Sequence, residues 1–311
     1  MSLAFVFPGQ GSQSVGMLSG IAEQYPEIEA TFSEASEILG FDLWQLTQQG
    51  PEVDLNNTVN TQPALLTAGV ALWRVWTSQN NLKPSLMAGH SLGEYTALVC
   101  ANALSFSDAV QLVTDRGKYM QSAVSEGTGC MAAILGLEDE QIETLCENSS
   151  QDDQVVAAAN FNSPGQVVIA GHKEAVERAV DAAKQSGARH SIILPVSVPS
   201  HCVLMKGAAE KLAIRLKNIS ITTPTIPIIH NVNANQGSDI EAIVKLLITQ
   251  LYKPVHWVKT IQYMYNEGVT KIVECGPGKV LSGLIKRIER GIESYPVSEP
   301  ELLQKALDEI H

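Results

Sequence analysis

The stretch "PSLMAGHSLGEYTALVCANAL", Pro84 to Leu104, decides the fold. It opens as a short apolar run, passes through Gly89-His90-Ser91-Leu92-Gly93, and leaves as a helix. Strand, G-x-S-x-G and helix in that order form a nucleophile elbow. Bulky neighbours would clash at so strained a turn, hence a glycine two positions before the serine and two after. The Ser91 hydroxyl then projects at the head of a helix, whose N–H groups and dipole favour a nearby oxyanion. A chance G-x-S-x-G is the bland alternative; the strand before it and the helix after it favour the elbow.

An elbow supplies one oxyanion donor, the N–H of the residue after the serine, here Leu92, and needs a second from a loop after another strand. The N-terminal "LAFVFPGQGSQSVGM" (Leu3 to Met17) offers such a loop. It is not a dinucleotide loop, because Ser14 stands where G-x-G-x-x-G needs its third glycine. It is not a P-loop either: Gly11 and Gly16 have the spacing, but Met17 and Leu18 replace the lysine and the hydroxyl. What remains is a turn whose glycines leave the backbone at Gln10 unobstructed, which makes the Gln10 N–H the second donor.

Around these two loops, strands alternate with helices. "IAEQYPEIEATFSEASEILG" and "TQPALLTAGVALWRVWTSQN" carry apolar residues at helical spacing, and "FSDAVQLVTDRGKYMQSAV" reads as a further helix. After "SEGTG" (125–129) the texture changes. "CMAAILG", "EDEQIETLCENSS", "QVVAAANF", "QVVIAG", "KEAVERAVDAAKQSG" and "HSIILPVSV" read as β-α-β-β-α-β, with "NSPG" as the hairpin turn. Beyond it come a helix at about 203–219, a strand "TIPIIHNV", a helix around "IEAIVKLLITQLY", a strand "KIVECG" and a helix from "GKVLSGLIKRIER". The expected fold is therefore α/β: an α/β-hydrolase-like domain with a mostly parallel sheet, built from 1–127 and 199–311, interrupted by a ferredoxin-like subdomain at 128–198.

Composition agrees with a globular enzyme. The 311 residues are 45% hydrophobic and 17% charged, enough for a substantial core. A formal net charge of −12 argues against a nucleic-acid partner. The five cysteines are scattered without C-x-x-C, which suits a reducing compartment and neither a disulfide framework nor a structural zinc site. No apolar run is long enough to span a bilayer, and the N-terminus lacks signal-peptide character. A cytoplasmic location without membrane attachment is the expectation.

A serine nucleophile needs a base. The downstream histidines are His172, His190, His201, His230, His256 and His311. His201 lies just after a strand and His230 at a strand's end, so both can reach the carboxyl edge of the sheet, where α/β folds place ligands. The residues alone leave these two tied. No aspartate or glutamate stands out as a third member, and His90, inside the elbow, reads as a pocket wall.

Seven motifs occur in order: "FPGQGSQ", "GHSLGEY", "RGKYMQ", "NFNSPGQVVIAG", "VPSH", "QLYKPVHW" and "GPGKVLSGL". Together they resemble the malonyl-CoA:acyl-carrier-protein transacylase family of bacterial type II fatty-acid synthesis, over nearly the whole chain. The resemblance implies Ser91 as the acylated nucleophile and His201 as its base, oriented by the backbone carbonyl of Gln250. It implies an oxyanion hole at Gln10 and Leu92, and Arg116 as partner of the malonyl carboxylate. Met120, one turn beyond Arg116, with His90 and Asn160, would complete the acyl pocket. It further implies ping-pong transfer from malonyl-CoA to acyl carrier protein, with no metal or other cofactor; a monomer is the default expectation. An acidic carrier would need a local basic patch; Lys286, Arg287 and Arg290 are candidates, with Lys118, Arg189 and Lys206.

Three rivals share parts of this pattern. A plain serine hydrolase has the same elbow but lets water reach the acyl-enzyme. A polyketide-type acyltransferase takes bulkier extender units. A non-catalytic carrier-binding module would form no acyl-enzyme.

Overall fold

The structure, a computed structural model, describes residues 2–125, 127–196 and 198–310. Its strands are β1 (Ser2–Phe7), β2 (Leu86–Gly89), β3 (Gly129–Leu135), β4 (Val156–Ser163), β5 (Gln166–His172), β6 (His190–Ile193), β7 (Ile228–Ile229), β8 (Val269–Glu274) and β9 (Glu293–Pro296). They form two sheets. One has the order β7-β2-β1-β8-β9 and is parallel throughout; the other has the order β4-β5-β3-β6 and is antiparallel.

The parallel sheet is buried on both faces, as parallel sheets are. In β1, Phe5 and Phe7 face one apolar cluster, while Ala4 and Val6 face another. The first cluster is closed by the helices Glu27–Leu39, Thr58–Gln79, Phe106–Gln121 and Lys206–Leu216, the second by Trp257–Asn266 and Val280–Ile288. Register pairs Phe7 with Gly89 and Ala88 with Ile229. The loops after β1, β2 and β7 therefore leave the same edge of the sheet together.

The antiparallel sheet packs two helices, Asp139–Ser149 and Lys173–Gln185, on one face, and its order is that of a ferredoxin-like unit. A short parallel contact joins it to the rest of the chain. The Phe161 N–H donates to the Val255 carbonyl and the Val255 N–H to the Ala159 carbonyl, each at 2.9 Å.

Departures from the sequence reading have local causes. The helix expected over 21–40 is split, because Pro26 stops Ser19–Ala22 and begins Glu27–Leu39. The strand expected over 190–198 ends at Ile193, two residues before Pro195, which has no N–H to donate; Ser197 lies outside the described residues. "TIPIIHNV" retains only Ile228–Ile229 as strand. The helices Leu43–Gln49, Trp257–Asn266 and Pro300–Glu309 and strand β9 had no assignment from the sequence.

The elbow has the expected form. β2 ends at Gly89, Ser91 sits at φ 51°, and the helix Gly93–Cys100 begins two residues later. A Cβ on Gly89 would lie 1.8 Å from the Gly93 carbonyl carbon, and one on Gly93 would lie 2.0 Å from the Phe7 carbonyl oxygen. One on Gly9 would lie 2.5 Å from the His90 carbonyl oxygen. Three missing side chains thus let the ends of β1 and β2 and the head of a helix touch. Gly93→Ala should cost about 2 kcal/mol or more, since backbone and not a flexible side chain must move. A chemical-denaturation midpoint equal to that of the unsubstituted protein would contradict this packing.

Candidate active site

Ser91, carried on the elbow, meets His201 from a different part of the chain. Ser91 Oγ lies 2.8 Å from His201 Nε2. His201 follows the chain's return from the antiparallel sheet and is held at φ 63°. Its N–H donates to the Leu251 carbonyl at 2.9 Å, and its Nδ1 lies 2.7 Å from the Gln250 carbonyl. A carbonyl only accepts, so Nδ1 carries the proton and Nε2 is free to accept from the serine hydroxyl. Burial drives the His201 pKa down to about 3, helped by the Arg116 cation and opposed by the Gln250 carbonyl. A neutral imidazole bonded to a hydroxyl is the arrangement of an activated nucleophile.

Arg116, from the helix Phe106–Gln121, is 1% exposed and reaches the same point. Nη1 donates to Gln62 Oε1 at 2.8 Å; Nη2 donates to Gln250 Oε1 at 3.0 Å and to Ser91 Oγ at 3.3 Å. The guanidinium carbon lies 5.4 Å from the centre of the Tyr95 ring. Its buried Nε has no partner among the described residues. Burial lowers the Arg116 pKa from its ordinary value. A fixed cation beside a nucleophile, with a donor unmet, is suited to an anionic substrate group.

The remaining candidates line the same cavity of ≈ 210 Å³: Gln10, His90, Leu92, Met120 and Asn160. The backbone N–H groups of Gln10 and Leu92 have no protein acceptor among the described residues. They come from the two loops that the glycine contacts hold together. His90 Nε2 lies 2.8 Å from Asn162 Oδ1, and burial lowers its pKa against that hydrogen bond. Met120 Sδ accepts from Gln62 Nε2 at 3.4 Å. The other wall is apolar, with Met131 and Val168 from the antiparallel sheet and Leu194, Val196 and Val198 from the segment after it.

The tie between the two histidines is broken by a buried carboxylate. His230 Nδ1 lies 2.6 Å from Glu94 Oε1, and both side chains are wholly buried behind the elbow. His230 is absent from the cavity lining. Elsewhere, His256 stacks on Phe161, His172 accepts from the Val155 N–H, and His190 is exposed; His311 lies outside the described residues. Of the candidate basic residues, Arg287 bridges to Gln166 Oε1 at 2.7 Å.

Sequence reasoning missed Gln62, Asn162, Asn231 and Glu94. Asn231 Oδ1 accepts the Ser91 N–H at 2.7 Å and Nδ2 donates to the Gly89 carbonyl at 2.6 Å, so it staples the elbow. Its place directly after His230 was the one available signal.

A family model described as an acyl transferase domain matches residues 4–303. The chain is 59% identical over 304 residues to the malonyl CoA-acyl carrier protein transacylase of Salmonella typhimurium, covering 98% of each. It superposes on the malonyl CoA-acyl carrier protein transacylase of Coxiella burnetii with TM-score 0.97 at 51% identity, covering 99% of this chain and 97% of that one. A malonyl-transacylase solved in complex with its type II polyketide acyl-carrier protein gives TM-score 0.97 at 53% identity, with 99% of each chain covered.

The depressed His201 pKa fixes a pH dependence. The base is lost only on protonation, so labelling of Ser91 by a fluorophosphonate should persist well below pH 6.5, the ordinary histidine value. Arg116→Ala removes one of the depressing causes and should move the acid limb upward, toward 6.5. An acid limb at 6.5 or above in the unsubstituted protein, or no upward move in the variant, would contradict this electrostatic account.

Proposed function

The chain belongs to the acyl transferase domain family and is an acyltransferase; we propose that it moves a malonyl group from malonyl-CoA to the phosphopantetheine thiol of acyl carrier protein. The observation that carries this reading is the buried Arg116 guanidinium 3.3 Å from Ser91 Oγ. Malonyl differs from acetyl by one carboxylate, and a guanidinium fork matches it with paired hydrogen bonds. Without that anion the buried cation stays unmet, so acetyl is rejected.

The reaction runs in two halves. Ser91 Oγ attacks the thioester carbonyl while its proton passes to His201 Nε2. The Gln10 and Leu92 N–H groups hold the oxyanion. The carbon–sulfur bond breaks and the coenzyme A thiolate leaves with the proton from His201, giving malonyl-Ser91. The carrier thiol then enters and gives its proton to His201. Its sulfur attacks the ester carbonyl, and Ser91 leaves with the proton returned. The Gln250 carbonyl keeps the imidazole in one tautomer throughout. Met120, His90 and Asn160 shape the acyl pocket. Every step is assigned to side chains and backbone N–H groups, with no metal or other cofactor. The five free, buried cysteines support a reducing compartment, and we place the enzyme in the cytoplasm as a monomer.

Arg116 also couples substrate choice to base strength. Its charge helps hold the His201 pKa down. A carboxylate docked on the guanidinium offsets that charge, so the base strengthens when a diacid unit is bound and not when acetyl is.

Intact-protein and peptide mass spectrometry after brief exposure to malonyl-CoA tests the assignment. We expect a malonyl adduct on the Ser91 peptide, absent in Ser91→Ala and discharged by holo acyl carrier protein faster than by water. Arg116→Ala should lower kcat/KM for malonyl-CoA by about 100-fold or more, leaving acetyl far less affected. Discharge by water alone would place the protein among hydrolases, and equal labelling by acetyl-CoA would remove the role of Arg116.

A further inference from the structure

Behind the elbow, Glu94 is 0% exposed and accepts from three donors. Oε1 faces His230 Nδ1 at 2.6 Å; Oε2 takes the Asn231 N–H and Gln250 Nε2, each at 3.0 Å. The last of these has consequences for selectivity. Gln250 uses Nε2 toward Glu94 and the Ser91 carbonyl, and Oε1 toward Arg116 Nη2. A carboxylate only accepts and a guanidinium only donates. With Glu94 and the Ser91 carbonyl at one end and Arg116 at the other, the Gln250 amide has one allowed orientation. Flipped, it would set NH₂ against guanidinium and oxygen against carboxylate.

We propose that Glu94, held by His230, is a positioning residue for acyl selection: acting through the Gln250 side chain, it fixes Arg116 where a diacid's carboxylate docks. The role rests on the malonyl-transfer reading and adds to it a residue that touches neither substrate nor reacting atoms. It differs from the role of the Gln250 backbone carbonyl, which orients His201. The backbone sets the base and the side chain sets the selector.

Glu94→Gln keeps the shape but puts a neutral amide where the carboxylate stood, which weakens the charge-assisted bond that holds Gln250 Nε2 and, through it, the contact of Gln250 Oε1 with Arg116. The test is the rate of Ser91 acylation by malonyl-CoA and by acetyl-CoA, measured as kcat and KM for each. We expect the malonyl-to-acetyl ratio of kcat/KM to fall by about tenfold or more, mostly through KM for malonyl-CoA. The acetyl rate and the fluorophosphonate labelling of Ser91 should stay near those of the unsubstituted enzyme. His230→Asn, which keeps a donor toward Glu94 Oε1, should preserve the ratio. If Glu94→Gln does not fold by circular dichroism, His230→Phe reads the same ratio, since it strips the carboxylate of that donor. An equal fall for both acyl donors would make Glu94 a support of the elbow only, and an unchanged ratio would leave it no role in selection; either overturns the proposal. Failure of the unsubstituted enzyme to take malonyl selectively would instead overturn the reading on which it rests.

Discussion

Gln250 is the point on which the site turns. Its main-chain oxygen holds one tautomer of His201, its side-chain oxygen holds Arg116, and its side-chain nitrogen bonds the Ser91 carbonyl and Glu94. Burying an amide is costly unless its polar atoms are met, and here both ends of the side chain are. Three segments far apart in sequence, the elbow, the helix bearing Arg116 and the end of the helix Ile240–Gln250, are thereby fixed by one residue. Fixed groups need no reorganisation as charge develops, which is where such sites gain their rate.

The polar contacts have an order that follows from what each group can do. Glu94 accepts, Gln250 does both, Arg116 donates, and Ser91 Oγ accepts from Arg116 while donating to His201. Each link removes a freedom from the next. An apolar replacement behind the elbow would leave His230 Nδ1 and the Asn231 N–H without their acceptor and Gln250 Nε2 with a weaker hold. Low polarity around the chain makes each contact strong and each mismatch expensive. It also keeps His201 neutral beside a cation, the state its proposed role as base requires.

What was legible in the sequence was local. The elbow is a strand, a turn and a helix within one stretch of chain, and the β-α-β-β-α-β order is written in consecutive elements. Glycine spacing at Gly9, Gly89 and Gly93 reports backbone contacts that no other residue permits. The choice between His201 and His230 was not local. It depended on whether a distant carboxylate met one of them, and Glu94 is 136 positions from His230. Gln62, 54 positions from Arg116, sits in a helix whose other buried positions are mostly apolar, so its pattern shows core and not function. Short strands such as β7 escape a periodicity reading because two residues carry no period.

The two sheets each supply part of the site's lining. The parallel sheet presents Ser91 and the N–H groups of Gln10 and Leu92 at its carboxyl edge, where strand ends and helix heads converge. The antiparallel sheet, tied down by the paired contacts of Ala159 and Phe161 with Val255, sets Met131 and Val168 across from them. Met131 and Val168 offer no hydrogen bond, whereas Asn160 and Asn162 of the same sheet, Arg116 and the backbone N–H groups of Gln10 and Leu92 do. In the proposed reaction an ester on Ser91 would meet polar groups for its oxygens beside the apolar side chains of Met131 and Val168.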